Sequence, residues 1–141
     1  MTRKRLVALA AVAAFVGVLT PGTASAAPGW EIDYGVKGTP PADVVCANQM
    51  DKAWVCYERY GDRWWVRDNA QDGMSALVEW FNYRDGSLYR RGRCINSHEA
   101  GTWASCNKNY YEGSKLTGFQ GAWDRSEGSV PVYYETEWQF Q

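Results

Sequence analysis

The chain has 141 residues, of which 45% are hydrophobic and 15% aromatic, and its formal net charge is −1. This length fits a single domain. The charge balance argues against nucleic acid and anionic membranes as partners, because both attract basic surfaces.

The first 26 residues have the features of a secretory signal peptide. Arg3, Lys4 and Arg5 precede the apolar run LVALAAVAAFVGVL, and TASAA supplies small residues for cleavage after Ala26. The run is too short for a membrane-spanning helix, which needs roughly 18–20 residues. We therefore expect a secreted, extracellular chain without a membrane span. The processed form would carry 12 Lys and Arg against 16 Asp and Glu, a net charge of about −4.

Residues 27–43 are rich in Gly and Pro and are expected to form a loosely ordered arm, followed by one β domain over residues 44–141. Within that domain, runs typical of strands are separated by turn residues roughly every 8–12 residues, without a helical period. The runs are AWVCYERY, RWWVRDN, SALVEWFNY, SLYRRGRCIN, TWASCNKNY, LTGFQGAWD and SVPVYYETEWQF. The last run alternates over residues 129–140, as a half-buried strand does. The sequence thus predicts an all-β fold, an antiparallel β-sandwich or small barrel of seven or eight short strands.

The four cysteines all follow the predicted signal, and export favours disulfides. Of the three possible pairings, Cys46 with Cys56 and Cys94 with Cys106 is favoured, because each pair brackets a polar loop between predicted strands. Neither pair has the C-x-x-C spacing of a zinc site, so no metal is expected there.

The two bracketed segments, CANQMDKAWVC and CINSHEAGTWASC, are similar to each other. Each begins Cys-x-Asn, has an acid five positions after its first cysteine, and has a tryptophan shortly before its second. A duplication that gives two similar halves and a shared hairpin design both remain open. In either case we expect each segment to be a hairpin whose cysteines cross-link adjacent strands.

Aromatic doublets interleaved with arginine suggest a binding surface. Because neighbouring side chains on a strand point to opposite faces, each doublet should present one ring away from the core. Exposed Trp and Tyr rings suit sugars and protein partners, although the rings could instead only fill the core. The predicted binding residues are Trp64, Trp65, Arg63, Arg67, Tyr110 and Tyr111.

A calcium loop is a weak alternative within DNAQDGMSALVE. Asp68, Asp72, Gly73 and Glu79 match the loop pattern, but Ala70 stands where an oxygen ligand is required. A turn at Gly73 is the simpler interpretation, and no cofactor is expected.

The second bracketed segment has a polar tip, predicted as a loop surface. It comprises Asn96, Ser97, His98 and Glu99. His98 is the only histidine of the chain, and an exposed loop position explains it without catalysis. A glycosidase would need two facing carboxylates, for which Glu79 and Glu137 are the candidates.

The export signal ending TASAA, the two short-range cysteine pairs and the segment DGMSALVEW…RRGRCINSHEAGTWASCNKNYYEG resemble the small secreted β-rich proteins of actinobacteria. The resemblance implies an extracellular location and a disulfide-linked β fold. It implies no catalytic residue.

The sequence therefore predicts a secreted, non-enzymatic and monomeric binding module. Its aromatic and arginine side chains would contact a glycan, a cell-wall polymer or a protein. The second hypothesis is a secreted inhibitor of an extracellular hydrolase, acting through loops 47–55 and 95–105. A small hydrolase is the third.

Overall fold

A computed structural model describes residues 26–126, 128, 130–133 and 137–141. The predicted signal peptide lies outside the described residues, except for Ala26. Ser129 and residues 134–136 of the predicted C-terminal strand also lie outside them.

Within the described residues, eleven β-strands form two packed sheets, which confirms the prediction of an all-β sandwich. The strands are β1 (Trp30–Tyr34), β2 (Val36–Gly38), β3 (Val45–Cys46), β4 (Ala53–Glu58), β5 (Arg63–Asp68), β6 (Ser75–Arg84), β7 (Ser87–Asn96), β8 (Trp103–Asn107), β9 (Lys115–Trp123), β10 (Val132–Tyr133) and β11 (Trp138–Gln139). A 3-10 helix, Arg59–Gly61, follows β4. In the described part of the chain, no helix has the length and apolar character needed to cross a membrane.

Six of these described strands form one sheet in the order β1-β7-β6-β9-β10, with β11 also paired to β9. The other five form a sheet in the order β2-β8-β5-β4-β3. The two sheets do not close into a barrel. The described strands exceed the predicted seven or eight because β1, β2 and β3 were not expected, and because the C-terminal run contributes two short strands.

Turn residues fix two hairpins, β4–β5 and β6–β7. Asp85 and Gly86 have φ angles of 50° and 76° between β6 and β7, the positive values that a tight two-residue hairpin turn requires. Asp62, with φ 47°, ends the turn between β4 and β5. Its carboxylate accepts hydrogen bonds from the Tyr57 hydroxyl at 2.8 Å and the Tyr110 amide at 3.2 Å. The turn is thereby tied to the segment that follows β8.

Aromatic rings dominate the core between the sheets. The ring centroids of Tyr57 and Trp64 lie 4.9 Å apart, and those of Trp64 and Phe140 also lie 4.9 Å apart. Trp80 contacts Tyr110 edge-on at 5.4 Å. Burial of each such side chain contributes about 1.5–3 kcal/mol.

Both predicted disulfides are confirmed, but they differ in their structural role. Cys46 and Cys56 are direct cross-strand partners in β3 and β4, as the hairpin interpretation requires. Cys94 in β7 and Cys106 in β8 belong to different sheets. The hairpin interpretation is therefore wrong for the second pair, because the chain crosses from one sheet to the other between these cysteines. The two bracketed segments do not occupy equivalent places in the fold.

Residues 27–43 differ from the expected loosely ordered arm. Strand β1 pairs parallel with β7, so the fold is not purely antiparallel, and β2 pairs antiparallel with β8 of the other sheet. The chain changes sheets at Gly35, whose amide donates to the Ile95 carbonyl at 2.8 Å. A Cβ at Gly35 would lie 2.8 Å from the Ala104 Cβ, so only glycine allows this close passage.

Ion pairs hold the inner side of β1. Arg90 donates from Nε and Nη2 to the two carboxylate oxygens of Glu31 at 2.7 and 2.9 Å. Lys108, which follows β8, donates to Glu31 at 2.9 Å and also forms an ion pair with Asp33. The Lys108 side chain is only 7% exposed. The network therefore ties β1 to both sheets.

These contacts predict a specific acid sensitivity. The hydrogen bond from Arg90 is the main reason that the pKa of Glu31 is about 2 instead of 4.5. The folded-state pKa is the lower one, so the stabilisation is complete above pH 4.5 and is lost as the pH falls towards 2. We expect ionised Glu31 to contribute about 1–2 kcal/mol to the free energy of unfolding. This value is smaller than the full pKa shift implies, because about a third of the side chain is exposed and solvent screens its charge.

Denaturant unfolding of wild type and Glu31→Gln across this pH range measures the effect. The variant should be less stable at pH 6, and the difference should disappear near the folded-state pKa of about 2. A difference that stays constant with pH would contradict the assignment.

Candidate functional site

Trp64 and Tyr110, predicted as binding residues, lie in the core. Trp64 is 0% exposed and donates from Nε1 to the Tyr110 hydroxyl at 2.9 Å. Burial is the largest cause that raises the pKa of Tyr110. With Tyr110 at 5% exposure, neither ring lies on an exposed surface as the sequence suggested. The alternative that rings fill the core holds for them.

Trp65 points away from the core, as the alternation of the doublet predicts, yet it is only 4% exposed. Its Nε1 donates to Glu58 at 3.0 Å, and the Arg63 guanidinium lies 5.8 Å from its ring. Strand β2 lies against the same ring, since a Cβ at Gly38 would be 3.2 Å from it. Trp65 is covered because the unpredicted strand β2 extends this sheet.

The other predicted binding residues are partly accessible but are not brought together. Arg63 is partly buried beside Trp65, and Arg67 donates to the Asn69 side chain at 3.0 Å. Tyr111 is 49% exposed and lies in another part of the molecule, where the Arg84 guanidinium stacks 3.8 Å from its ring.

The four residues of the predicted loop surface differ in exposure. Ser97 and Glu99 are exposed, and Lys37 pairs with Glu99 and lowers its pKa. His98 is half-buried, and its Nε2 lies 2.9 Å from the Gly35 carbonyl, which can only accept a hydrogen bond. Asn96 is 0% exposed and donates to the carbonyls of Val66 and Thr102, so its role is structural.

The two cysteine-bracketed loops lie at the same end of the sandwich. The loop after β5 connects them: the Asp68 carbonyl accepts from the Gly101 amide at 2.7 Å, and the Asn69 side chain donates to the Met50 carbonyl at 2.7 Å. A cleft of about 440 Å³ opens there. Its lining includes Asp68, Asp72, Ser97, His98, Glu99 and Arg125.

The calcium pattern is not assembled in the structure. Asp68 is buried, which raises its pKa, and Asp72 pairs with Lys52, which lowers its pKa. Glu79 lies on β6 and pairs with Arg93 instead of facing this loop. Among the described residues, no group of three or more His, Cys, Asp or Glu side chains is arranged to hold a metal ion.

A row of aromatic rings crosses the outer face of the six-stranded sheet. Trp30 of β1 contacts Phe81 of β6, Phe81 contacts Phe119 of β9, and Phe119 contacts Tyr133 of β10. The centroid distances are 6.1, 6.1 and 5.8 Å. Trp30 is 41% exposed and Tyr133 37%, while the two Phe rings are half-buried. We call this surface the aromatic face.

Charged side chains lie beside the aromatic rings of this face. The guanidinium carbons of Arg91 and Arg93 lie 4.5 and 4.8 Å from the Trp30 ring, and Arg93 lies 5.3 Å from Trp123. Arg93 donates to the Glu79 carboxylate at 2.7 Å, and the Tyr133 hydroxyl donates to the same oxygen. Burial and this bond raise the pKa of Tyr133.

The aromatic face continues towards the β6–β7 hairpin. Tyr83 follows Phe81 by two positions on β6, a spacing that keeps both on one side of the strand. The Lys115 ammonium lies 5.6 Å from the Tyr83 ring. Both residues line a cavity of about 620 Å³ that also includes Arg84 and Tyr111.

Sequence reasoning missed this face although the signal was present. WEIDY alternates outward Trp30, Ile32 and Tyr34 with inward acids, which is the period of a strand. The Gly/Pro-rich composition around it favoured a loose arm instead. Phe81 and Phe119 fell within predicted strands, but their shared face depends on the order of strands in the sheet.

The aromatic face can hold an elongated molecule by ring stacking and by hydrogen bonds that its guanidinium groups donate. It is an open surface and not a cleft, so it does not enclose a substrate. Comparison of the chain with known protein families, curated proteins and solved structures found no match.

Proposed function

We propose that this chain is a secreted, non-enzymatic binding module that holds an extended glycan on the aromatic face. The observation that carries the proposal is the row of Trp30, Phe81, Phe119 and Tyr133 across four strands. Aromatic rings stack on the apolar C–H faces of sugars, and nearby polar groups bond the hydroxyls. Extracellular location is part of the proposal and is supported by the signal-like start and two disulfides.

Ring orientation favours a single glycan chain over a flat crystalline surface. Successive rings along the row meet at interplanar angles of 70°, 88° and 54°. The row therefore offers ring faces and ring edges in turn and is not one coplanar platform. A soluble chain can rotate its sugars to fit, whereas a crystalline polymer cannot.

The arrangement of carboxylates favours binding over hydrolysis. A glycosidase needs an acid and a second carboxylate facing each other across the scissile bond. Glu79 accepts bonds from Arg93 and Tyr133, and Glu137 accepts one from Thr117. Glu79 is only 8% exposed, and each carboxylate is already held by donors of the protein itself.

Ring removal tests the proposal. Trp30→Leu and Phe119→Leu keep apolar volume but remove a ring, and each should weaken binding to a soluble polysaccharide about tenfold, or about 1.4 kcal/mol. Calorimetric titration against a panel of soluble polysaccharides measures the affinity. Tyr60→Leu is the matched control, because Tyr60 is 95% exposed and belongs to the 3-10 helix after β4.

All three variants should melt within a few degrees of wild type, so that lost binding cannot be attributed to unfolding. If no polysaccharide binds wild type, or if Trp30→Leu and Phe119→Leu bind as wild type does, the proposal fails.

A second candidate function is inhibition of an extracellular hydrolase. The observation that favours it is the placement of both cysteine-bracketed loops at one end of the sandwich, connected through Asp68 and Asn69. Rigid loops that project together can enter an enzyme cleft with little loss of entropy.

Inhibition assays against a panel of proteases and glycosidases test this candidate. Replacing exposed Ser97 and Glu99 together should abolish any inhibition, whereas Phe119→Leu should leave it unchanged. If no enzyme of the panel is inhibited, the inhibitor hypothesis is rejected.

A further inference from the structure

We infer that the glycan held by the aromatic face is acidic, and that Arg91 binds its carboxylate groups beside Trp30. This inference rests on the proposed function and names the chemical class of its ligand.

Both guanidinium groups are fixed next to one ring. In the sheet register Trp30 stands opposite Arg91, which in turn stands opposite Phe81. Because Trp30 contacts Phe81 at 6.1 Å, its indole reaches across β7 and lies beside the two arginines. Stacking on an indole leaves the in-plane N–H groups of a guanidinium free to bind an anion in a forked geometry.

Arg91 is held in place by a carbonyl group and has no acidic partner within the part of the chain that the structure describes. Its Nε donates to the Pro28 carbonyl at 2.7 Å, which orients the side chain. Among the residues that the structure describes, no carboxylate lies within ion-pair distance of Arg91. Arg93, by contrast, pairs with Glu79. The face thus keeps at least one guanidinium available beside an exposed ring.

The local charge is opposite in sign to that of the whole protein. The chain has 16 acidic against 15 basic residues. The acids of β1, Glu31 and Asp33, alternate to the inner side and pair with Arg90 and Lys108. Arg125 adds a further charge at this margin, 5.2 Å from the Tyr34 ring, although it also lines the cleft at the end of the sandwich. A basic margin on an acidic protein selects acidic ligands.

The aromatic row favours an acidic polymer that has sugar rings in its backbone. A uronic acid combines a sugar ring, which stacks, with a planar carboxylate, which matches the guanidinium fork. A phosphodiester polymer built on short polyols has the charge but lacks a sugar ring in its backbone. We therefore assign the ligand to the uronate-bearing polysaccharides.

The test compares polygalacturonate with the same polymer after methyl esterification, and with a poly(glycerol phosphate). Wild type should bind polygalacturonate at least about tenfold more tightly than the ester at low salt, and the ratio should shrink as salt screens the charges. Arg91→Gln should lose most of that ratio while keeping its affinity for the ester. Arg91→Lys should recover only part of it, because lysine has the charge without the fork.

Arg63→Gln is the matched control, since Arg63 also lies beside a tryptophan but on the other sheet. It should behave as wild type does. Equal binding of the acidic and esterified polymers would overturn the inference and leave the proposed function standing, and preference for the phosphate polymer would overturn the carboxylate assignment. Absence of binding to these polymers and to neutral polysaccharides would overturn the proposed function itself.

Discussion

Strand β1 lies against β7 so closely at Gly92 that no side chain would fit there. A Cβ at Gly92 would lie 2.3 Å from the Glu31 carbonyl oxygen and 2.5 Å from the Trp80 ring. With β1 in this position, Glu31 faces inward towards Arg90 and Lys108, and Trp30 faces outward beside Arg91. The aromatic face exists because β1 is docked in this way.

The segment that contains β1 and β2 also covers part of the binding surface that the sequence suggested. After the change of sheet at Gly35, β2 lies over Trp65 and covers it. One short stretch of chain therefore exposes Trp30 on one sheet and buries Trp65 on the other. The second disulfide reinforces this arrangement, because it joins β7, the partner of β1, to β8, the partner of β2.

Local features of the fold could be predicted from the sequence. The β6–β7 hairpin follows from the alternation around Asp85 and Gly86, and the cysteine pairing follows from the polar loop that each pair brackets between predicted strands. The Trp64-Trp65 doublet also alternates as expected. Whether an outward ring is exposed depends on which strand lies next to it, however, and that is a property of sheet order which no local pattern contains. The role of the Cys94–Cys106 disulfide could not be predicted for the same reason. The loop between these cysteines has no feature that distinguishes a hairpin within one sheet from a connection between the two sheets.

Amide hydrogen exchange along β1 tests the central claim most directly, in wild type, Gly92→Ala and the control Gly29→Ala, whose added Cβ would meet no atom within 4 Å. We predict slow exchange at the amides of β1 that bond to β7 and at Gly35, unchanged in Gly29→Ala and lost in Gly92→Ala. Fast exchange of the wild-type amides throughout residues 30–35, with the rest of the sandwich protected, would mean that β1 is not docked. The aromatic face would then not form, and the account would be contradicted.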